Sequence, residues 1–289
     1  MKIGIMGYGF VGGTTGKVLS TVHEIFPYDK YKKPYCEKKC LRELAENSEL
    51  CFICVPTPMK RSGEMDYSAV RGSIDSLLEE TREVGRDPKD ILVTIRSTAV
   101  SGTTDALAER YPFKFAFNPE FLREKHALED MRTTNRVVIG ANDAESAEKL
   151  MAVYKPLFPE AAYIIVDIKT AEMIKYAANV QLTMQIAAAN ELFGICRATG
   201  VDFNSVKDAI LRDSRIGRPI DVPGPDGDFR FGGKCFPKDL NALIHLAREH
   251  GYRPNLLEAA WDLNLKVRRK RDWEEIPGAT SENKNFSRE

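Results

Sequence analysis

A short apolar run leads directly into a glycine-rich turn near the start of the chain, Lys2-Ile3-Gly4-Ile5-Met6-Gly7-Tyr8-Gly9-Phe10-Val11-Gly12. In a G-x-G-x-x-G turn, the first glycine permits a tight bend, the second lets the backbone approach a pyrophosphate, and the third lets the next helix pack on the strand. The N–H groups at the start of that helix then face the phosphates. We therefore expect a dinucleotide-binding fold in which Gly7, Gly9, Phe10, Val11 and Gly12 contact the cofactor.

An acidic residue stands at the expected distance from this turn. Asp29 ends the second apolar segment, about twenty residues on, where a carboxylate accepts hydrogen bonds from ribose hydroxyls. The same carboxylate repels the 2′-phosphate of NADP, so NAD is the predicted cofactor. Lys30, Lys32 and Lys33 weaken this preference, because cations accommodate a 2′-phosphate.

Short apolar segments alternate with helical patterns over the first half of the chain. Beyond residues 3–6, strand patterns cover residues 24–28, 50–55, 91–95, 113–117, 136–139 and 163–166. A β-α-β series of this kind is typical of an α/β fold with a doubly wound, mostly parallel sheet. The pattern predicts an N-terminal, Rossmann-like, NAD-binding domain over residues 1–168.

Strand patterns end after Asp167, and helical patterns replace them. Apolar residues recur at helical spacing over residues 170–199, which predicts one helix about 45 Å long at ~1.5 Å per residue. Shorter helical patterns cover residues 204–212, 239–249 and 255–273. We expect an all-helical second domain over residues 169–273, followed by a polar, disordered tail over residues 274–289.

The composition argues against several classes of function. The 289 residues include 42 Lys plus Arg and 42 Asp plus Glu, so the formal net charge is zero. Nothing in this balance favours binding to nucleic acid or to an anionic membrane. The chain starts without the h-region of a signal peptide, and no apolar run reaches the ~20 residues of a membrane span. We expect a cytoplasmic protein whose six cysteines are mostly thiols.

A second informative run lies near the C-terminus, Phe231-Gly232-Gly233-Lys234-Cys235-Phe236-Pro237-Lys238-Asp239. The glycine pair gives the loop flexibility, and the neighbouring lysines favour the thiolate of Cys235 over the thiol, whose usual pKa is about 8.5. The alternative is that Cys235 is a small buried hydrophobic residue. The flanking charges favour a reactive cysteine. Together with a cofactor site, such a cysteine suggests an oxidation that passes through a covalent intermediate.

The remaining cysteines and the histidines are weaker candidates. Cys51 and Cys54 lie in an apolar strand pattern, and with Cys36 and Cys40 they imitate the spacing of a zinc site. We expect no metal. The four histidines lie outside every motif, so a carboxylate, a lysine or a water is the expected general base.

Two further groups place polar side chains where ligands bind. Residues 118–124 follow the carboxyl end of a predicted strand, the edge at which open α/β sheets bind ligands. The acids in this segment, Glu120 and Glu124, are otherwise ordinary first-turn helix acids. Lys175 and Asn179 are four residues apart and share one helix face. A lysine there could stabilise an oxyanion, although most such pairs are solvated surface.

Taken together, these motifs resemble the UDP-glucose/GDP-mannose dehydrogenase family. The resemblance runs in order through residues 7–12, 55–58, 97–98, 118–124, 172–179, 231–239 and 256–260, and it covers about residues 1–271. The run at 231–239, F-G-G-x-C-x-P-K-D, is its most specific part. The family usually continues into a third, Rossmann-like domain that covers the nucleotide, and we expect this chain to be a short form without it.

The resemblance implies an enzyme that oxidises the C6 hydroxyl of a nucleotide sugar, UDP-glucose, to a carboxylate and consumes two NAD. It implies that Thr98 and Asp239, with a water, assist the first deprotonation. Cys235 then adds to the aldehyde to form a thiohemiacetal, which is oxidised to a thioester. By the same analogy, Glu120 is the base for hydrolysis of the thioester.

The resemblance also assigns binding residues. Lys175 and Asn179 would hold the oxyanion, and Thr57, Thr98 and Glu124 match cofactor contacts. The implied substrate contacts are Glu120, Phe121, Leu122, Arg123, Lys175, Asn179, Arg215, Phe231, Gly232 and Gly233. The family further suggests a homodimer built on the long central helix.

Two other classes of function stay open. One is a catalytically weak or inactive module that binds NAD, dimerises through its helices and needs a partner to supply the third domain. The other is a two-electron hydroxyacid dehydrogenase, which also joins a Rossmann domain to helices but does not need Cys235. The short form is natural, a fragment, or a protein whose lid comes from a partner.

Overall fold

The computed structural model describes residues 1–217 and 220–281. The chain forms two compact units. Unit 1 comprises Met1–Thr57 and Asp66–Lys175. Unit 2 comprises Pro58–Met65 and the described residues from Tyr176 onward. A short excursion between two parts of unit 1 therefore belongs to unit 2.

Unit 1 is built on a seven-stranded sheet. Its strands are β1 (Lys2–Met6), β2 (Glu24–Tyr28), β3 (Leu50–Ile53), β4 (Leu92–Ile95), β5 (Lys114–Phe117), β6 (Arg136–Ala141) and β7 (Ala162–Val166). They lie in the order β2-β1-β3-β4-β5-β6-β7, and every neighbouring pair is parallel except β5 and β6. The predicted doubly wound, mostly parallel sheet is confirmed.

Helices cover both faces of this sheet. They are α1 (Phe10–Leu19), α2 (Lys38–Asn47), α3 (Ser68–Glu83), α4 (Thr103–Arg110), α5 (Ala127–Arg132) and α6 (Ala144–Tyr154). Successive residues of β3 alternate between two hydrophobic cores, with Leu50 and Phe52 in one and Cys51 and Ile53 in the other. The first core includes side chains of α1, α5 and α6, and the second includes side chains of α2, α3 and α4. Burial of both faces explains why the strands appear in the sequence as continuous apolar runs.

Unit 2 is helical. The long helix α7 (Ile168–Thr199) begins in unit 1 and continues into unit 2, where α8 (Phe203–Ile210), α9 (Phe236–Glu249) and α10 (Asn255–Val267) follow. The 32 residues of α7 span about 48 Å at ~1.5 Å per residue, which confirms the predicted long helix. Asp167 accepts a hydrogen bond from the Thr170 N–H at 2.9 Å at its start, and Gly200, with φ +72°, follows its end. Neither α7 nor any other described helix is long and apolar enough to cross a bilayer.

The C-terminal tail is folded as far as it is described, which differs from the disorder predicted over residues 274–289. Ala279 is 1% exposed and packs with Met59 and with Trp273, which precedes the predicted tail and is 2% exposed. The backbone N–H of Met59 donates to the Ala279 carbonyl at 3.0 Å. Spaced apolar residues therefore bury enough surface to fix an otherwise polar segment. The rest of the predicted tail, residues 282–289, lies outside the described residues.

Replacement of Trp273 by Ala should destabilise the protein by about 3–5 kcal/mol, because the indole is buried and leaves a cavity. Its ring lies against that of Trp261, with 5.3 Å between the centroids. Urea unfolding followed by circular dichroism measures the loss. Tyr252→Ala is the control, since Tyr252 is 69% exposed, and it should cost less than about 0.5 kcal/mol. Equal stability of Trp273→Ala and wild type would contradict the buried position of Trp273 in the cluster with Met59 and Ala279.

Candidate active site

The glycine-rich turn lies between β1 and α1. Gly7 has φ +87°, in the left-handed region that favours glycine. A Cβ on Gly12 would lie 2.0 Å from the Gly7 carbonyl oxygen, so the close approach requires glycine. A Cβ on Gly9 would meet no heavy atom within 4 Å, which leaves this backbone open to a ligand. Phe10 and Val11 begin α1, and Phe10 is 45% exposed. These are the features of a pyrophosphate-binding turn.

Asp29 follows β2 and binds the turn itself. Its Oδ2 accepts a hydrogen bond from the Tyr8 N–H at 2.8 Å, and its Oδ1 accepts from the N–H groups of Tyr31 at 2.9 Å and Lys32 at 3.0 Å. A carboxylate offers about four lone-pair sites, so one remains for a ribose hydroxyl. Lys32 Nζ donates to the Tyr8 carbonyl at 3.0 Å. The predicted ribose-binding acid is therefore also a structural link between the turn and the next loop.

Two predicted cofactor contacts lie beyond the carboxyl ends of neighbouring parallel strands. Thr57 follows β3, and Thr98 follows β4. Ser97 Oγ donates to the Val55 carbonyl at 2.6 Å, which joins the two strand ends. Glu124 begins a short 3-10 turn, Glu124–His126. The sheet thus brings Thr57 and Thr98 to the edge at which open α/β sheets bind ligands.

A buried ion pair joins two predicted site residues in unit 1. Lys175 Nζ donates to Glu120 Oε1 at 3.0 Å, and the two side chains are 6% and 12% exposed. Glu120 Oε2 accepts from the Leu122 N–H at 2.7 Å. Lys175 Nζ also lies 5.5 Å from the centre of the Phe121 ring. The structure therefore brings Glu120, Phe121, Leu122 and Lys175 together.

Opposing effects set the pKa of Glu120. Burial raises this pKa, whereas the Lys175 ammonium, the Leu122 N–H and the Arg96 guanidinium lower it, and the net pKa lies below its ordinary value. The Glu120 side chain is therefore a carboxylate at neutral pH. It can accept a proton, as a general base must.

Two predicted substrate contacts form local ion pairs. Arg123 Nη2 lies 2.5 Å from Asp130 Oδ1, and the Arg123 side chain is 67% exposed. Arg215 Nη2 lies 2.5 Å from Asp213 Oδ2, and the Arg215 side chain is 87% exposed. Among the described side chains, neither arginine forms a hydrogen bond with another predicted site residue. In the structure, therefore, neither Arg123 nor Arg215 belongs to a hydrogen-bonded cluster of predicted site residues.

In unit 2, Cys235 is exposed and stands at the N-cap of α9. The N-terminus of a helix favours a thiolate through its dipole and its unpaired N–H groups. The exposure of Cys235 argues against the alternative of a small buried side chain. None of the six cysteines forms a disulfide.

The loop before Cys235 is held in place; Gly232 is required by close packing and Gly233 by its left-handed backbone conformation, more than for flexibility. A Cβ on Gly232 would lie 1.9 Å from Arg268 Nη2. Gly233 has φ +76°, and its N–H donates to Asp272 Oδ2 at 2.9 Å. Phe231 is 1% exposed. Any larger residue at these glycines would displace the loop that presents the thiol.

A second buried polar cluster surrounds Asp239 on α9. Its Oδ2 accepts from Asn179 Nδ2 at 2.5 Å, and its Oδ1 accepts from Lys238 Nζ. Asn179, Lys238 and Asp239 are 8%, 4% and 1% exposed. Thr183 Oγ1 donates to the Asn179 carbonyl at 2.8 Å. The sequence suggests Lys238 as a charge flanking Cys235, whereas the structure pairs Lys238 with Asp239.

Several buried charged residues received no role from the sequence, among them Arg96, Glu172 and Arg268. Glu172, on α7, accepts hydrogen bonds from the N–H groups of Gly102 at 2.6 Å and Thr104 at 2.8 Å, at the N-terminus of α4. Burial raises the pKa of Glu172 to about 7, although these N–H groups oppose the change. A charged residue inside or at the end of an apolar helix or strand pattern is the sequence signal that could have identified Arg96 and Glu172, whereas Arg268 lies in the basic run 266–271 and has no such signal.

Arg268 organises the loop that leads to Cys235. Its side chain is 2% exposed, and its Nη2 lies 2.5 Å from Asp226 Oδ2 and 3.1 Å from Asp272 Oδ2. Its Nη1 donates to the Phe229 carbonyl at 3.3 Å. The two carboxylates compensate the buried charge of Arg268, so the guanidinium can hold the loop in a fixed position.

The zinc-like spacing does not correspond to a cluster of ligands. Within residues 1–217 and 220–281, no group of three or more His, Cys, Asp or Glu side chains could hold a metal ion. Burial raises the pKa of Cys54 to about 12 and that of Cys51 further, so both are protonated thiols at neutral pH.

The glycine turn, Asp29 and the strand edge define a dinucleotide-binding protein. Residues 35–158 match the NAD binding domain of the UDP-glucose/GDP-mannose dehydrogenase family, and residues 169–266 match the central domain of the same family. The chain therefore belongs to the UDP-glucose/GDP-mannose dehydrogenase family. The predicted family and the predicted NAD cofactor are confirmed.

Curated relatives agree with this assignment. The chain is 37% identical over 220 residues to a UDP-glucose 6-dehydrogenase of Rickettsia felis, which covers 74% of this chain and 47% of that protein. It is 34% identical over 294 residues to a UDP-glucose 6-dehydrogenase of Rickettsia bellii, which covers 90% of this chain and 65% of that protein. The chain thus spans about half to two thirds of the length of these relatives.

Solved structures share the fold. A UDP-glucose dehydrogenase from Pyrobaculum islandicum matches with a TM-score of 0.80 and 30% identity, over 92% of this chain and 68% of that chain. A 3-hydroxyisobutyrate dehydrogenase from Mycobacterium tuberculosis matches with a TM-score of 0.69 over 92% of both chains, at 19% identity. The second likeness concerns the fold alone.

Glu172→Gln should remove a pH dependence of stability. The folded-state pKa of Glu172, about 7, lies above the ordinary value of 4.5. The protonated carboxyl therefore stabilises the fold fully below pH 4.5, and this contribution is lost as the pH rises through 7. Relative to the variant, the wild type should lose about 2–3 kcal/mol of unfolding free energy between about pH 5 and 8.

Urea titrations across this pH range measure the effect. Glu160→Gln, at an exposed surface position, is the control and should keep the wild-type slope. Parallel stability curves for wild type and Glu172→Gln would contradict the expectation.

Proposed function

We propose that the protein is an NAD-dependent dehydrogenase that oxidises the C6 hydroxyl of UDP-glucose to the carboxylate of UDP-glucuronate. The observation that carries this proposal is Cys235, which is exposed at the N-cap of α9 behind a loop held by Arg268. Membership of the family supports a nucleotide-sugar substrate. The relatives named UDP-glucose 6-dehydrogenase support UDP-glucose in particular.

We assign NAD binding to the domain of residues 1–168. The open backbone at Gly9 and the N-terminus of α1 would hold the pyrophosphate, and Asp29 would hold the ribose hydroxyls. Thr57 and Thr98, at the sheet edge, and Glu124 would contact the rest of the cofactor. Bound NAD supplies the hydride acceptor for both oxidations.

Asp239 and Thr98 would assist the first deprotonation through a water. The carboxylate of Asp239 is held in one orientation by donors from Asn179 and Lys238. A carboxylate that cannot turn away can keep a water aligned on the C6 hydroxyl, and the proton passes to that water. Loss of a hydride from C6, for which bound NAD would be the acceptor, would then give the aldehyde.

Cys235 would then attack the aldehyde carbon. The new carbon–sulfur bond makes a thiohemiacetal, and loss of a hydride from the same carbon gives a thioester. The oxygen becomes negatively charged during the attack and requires hydrogen-bond donors. The Lys175 ammonium and the Asn179 amide are the donors that we assign to it, on the same face of α7.

Glu120 would complete the reaction as a general base. Its carboxylate is ionised because its pKa lies below the ordinary value, and Lys175 holds its Oε1 at 3.0 Å. It accepts a proton from a water that attacks the thioester. Hydrolysis releases the sugar carboxylate and restores the thiol of Cys235.

The sugar nucleotide would bind through both arginines that now form surface ion pairs. Arg123 and Arg215 are exposed, and exposed ion pairs contribute little free energy, so each can exchange its aspartate for a substrate phosphate. The remaining contacts that we assign to the sugar nucleotide are Glu120, Phe121, Leu122, Lys175, Asn179, Phe231, Gly232 and Gly233.

Cys235→Ala should abolish formation of the acid, with a loss of at least about 10³-fold in rate. The measurement counts NADH per UDP-glucose consumed, and the wild type should form two. Cys36→Ala, in the loop that precedes α2, is the matched control and should retain activity. One NADH per substrate in the wild type, unchanged in Cys235→Ala, would point to a hydroxyacid-type dehydrogenase. NAD binding without turnover would support the alternative of a binding module that dimerises and needs a partner.

We also propose that residues 169–273 form a dimerisation domain through α7. Two large apolar side chains of this helix are exposed, Leu192 by 42% and Ile195 by 54%. Exposed apolar surface of this kind is typical of an interface between subunits. Ile195→Glu should give a monomer in sedimentation velocity at micromolar concentration, where the wild type is a dimer. Tyr252→Glu, at an exposed position outside α7, should leave the dimer intact. A monomeric wild type would refute the interface.

We place the protein in the cytoplasm. None of its six cysteines forms a disulfide, which supports a reducing compartment. The proposed chemistry also needs Cys235 as a thiol.

A further inference from the structure

Arg96 is a buried cation at the carboxyl end of β4 and is 6% exposed. Its Nε donates to Thr15 Oγ1 at 3.1 Å, and its Nη1 donates to the Tyr154 hydroxyl at 3.1 Å. Nη1 also donates to Asn118, both to the carbonyl at 3.3 Å and to Oδ1. Every acceptor is neutral, and no carboxylate among the described side chains lies within ion-pair distance. Since a buried cation is costly without a carboxylate, this arrangement calls for a functional reason.

Asn118 accepts hydrogen bonds from the Arg96 guanidinium, and its other polar groups are also hydrogen-bonded. It is 2% exposed, its N–H donates to the Ile95 carbonyl at 2.9 Å, and its Nδ2 donates to the Val138 carbonyl at 2.8 Å. Its Oδ1 accepts from the Tyr154 hydroxyl at 2.5 Å as well as from Arg96. All the polar groups of Asn118 therefore form hydrogen bonds, and these bonds fix the direction in which the backbone continues after Asn118.

Glu120 stands two residues after this anchor. Pro119 lies between them and has a fixed φ and no N–H, so movement of Asn118 is transmitted to Glu120 with little freedom. The position of the Asn118 backbone thus decides whether Glu120 reaches Lys175 at 3.0 Å.

Two cations act on the Glu120 carboxylate, the Lys175 ammonium from α7 and the Arg96 guanidinium from the end of β4, in addition to the Leu122 N–H. The other titratable group coupled to Glu120 is the Cys54 thiol after β3. Burial raises the pKa of the Cys54 thiol to about 12, so Cys54 carries no charge at neutral pH. Arg96 is then the second cation behind Glu120, and it has no carboxylate partner of its own that would cancel its charge.

We infer that Arg96 is a positioning residue for Glu120, which holds the Asn118–Pro119–Glu120 segment through its guanidinium and supplies a buried positive charge to the Glu120 carboxylate. The inference rests on the proposed function only in the role of Glu120 as a base. The coupling between Arg96 and Glu120 is a property of the folded chain and can be measured without turnover.

The direct test is the titration of the Glu120 carboxyl by NMR in protein labelled with ¹³C-glutamate, with the signal assigned by its loss in Glu120→Gln. Arg96→Met should move the midpoint of the titration upward by about 1 pH unit or more, since a nearby opposite charge lowers the pKa of a carboxylate by about that amount. Arg96→Lys keeps the charge but not the planar fork, and should move the midpoint by less.

Arg86→Met is the matched control. Arg86 is also a partly buried arginine of unit 1 with neutral acceptors, the carbonyls of Ala45 at 2.7 Å and Ser48 at 3.1 Å. These acceptors precede β3, at the opposite edge of the sheet, so the titration of Glu120 should not change. Asn118→Asp is a second variant that retains Arg96 and places a carboxylate beside the guanidinium. It should also raise the midpoint, and it tests the inference if Arg96→Met does not fold.

Unchanged Glu120 midpoints in the folded Arg96 or Asn118 variants would overturn the inference. In enzyme assays, Arg96→Lys should lower kcat about 10-fold or more, with KM for UDP-glucose within about twofold, and should shift the acid limb of the pH profile upward. If the midpoint shifts but the pH profile of activity does not, the coupling of Arg96 to Glu120 stands, and the role of Glu120 as base in the proposed function fails.

Discussion

The polar stripe of α7 is the constraint on which the rest of the structure depends. Glu172, Lys175 and Asn179 are three or four residues apart, so they share a helix face, and none is more than 8% exposed. A buried polar group without a partner costs about 1–3 kcal/mol, and a charged one costs more. Each residue therefore requires a partner from elsewhere in the chain. Glu172 accepts hydrogen bonds at the N-terminus of α4, Lys175 pairs with Glu120, and Asn179 donates to Asp239. One helix thereby sets the position of several loops and side chains to which we assign chemistry.

The cysteine loop illustrates the same principle in unit 2. Gly232 allows the Arg268 guanidinium to lie where any Cβ would clash, and Gly233 adopts a left-handed backbone conformation. Asp226 and Asp272 neutralise the buried Arg268. These contacts hold the loop, and Cys235 is exposed at its end. In the reaction that we propose, a nucleophile held in this way loses little entropy when it reaches a defined geometry, as covalent catalysis requires.

The sequence was a reliable guide where a local pattern has one physical meaning. The inner strands β1, β3, β4, β5 and β6 could be recognised because each is mostly a run of buried apolar residues, whereas the edge strands β2 and β7 are partly exposed. The glycine turn could be identified because backbone geometry at Gly7 and close packing at Gly12 exclude other residues. The tail after residue 273 was misjudged because Ala279 looks isolated in a polar segment until Met59 and Trp273 supply its partners. Arg123 and Arg215 form their ion pairs with nearby aspartates, a choice that spacing does not reveal.

The sequence by itself determined the class of fold, the dinucleotide turn, the long helix and the family, because these depend on periodicity and on residues that single backbone conformations require. Only the tertiary structure decided the partners of the buried charges: Lys175 pairs with Glu120, and Arg96 with the backbone and side chain of Asn118. Only the tertiary structure also showed that β6 runs antiparallel to β5. The physical reason is that pairing of buried charges depends on distances between residues far apart in the chain, and those distances exist only after the chain has folded.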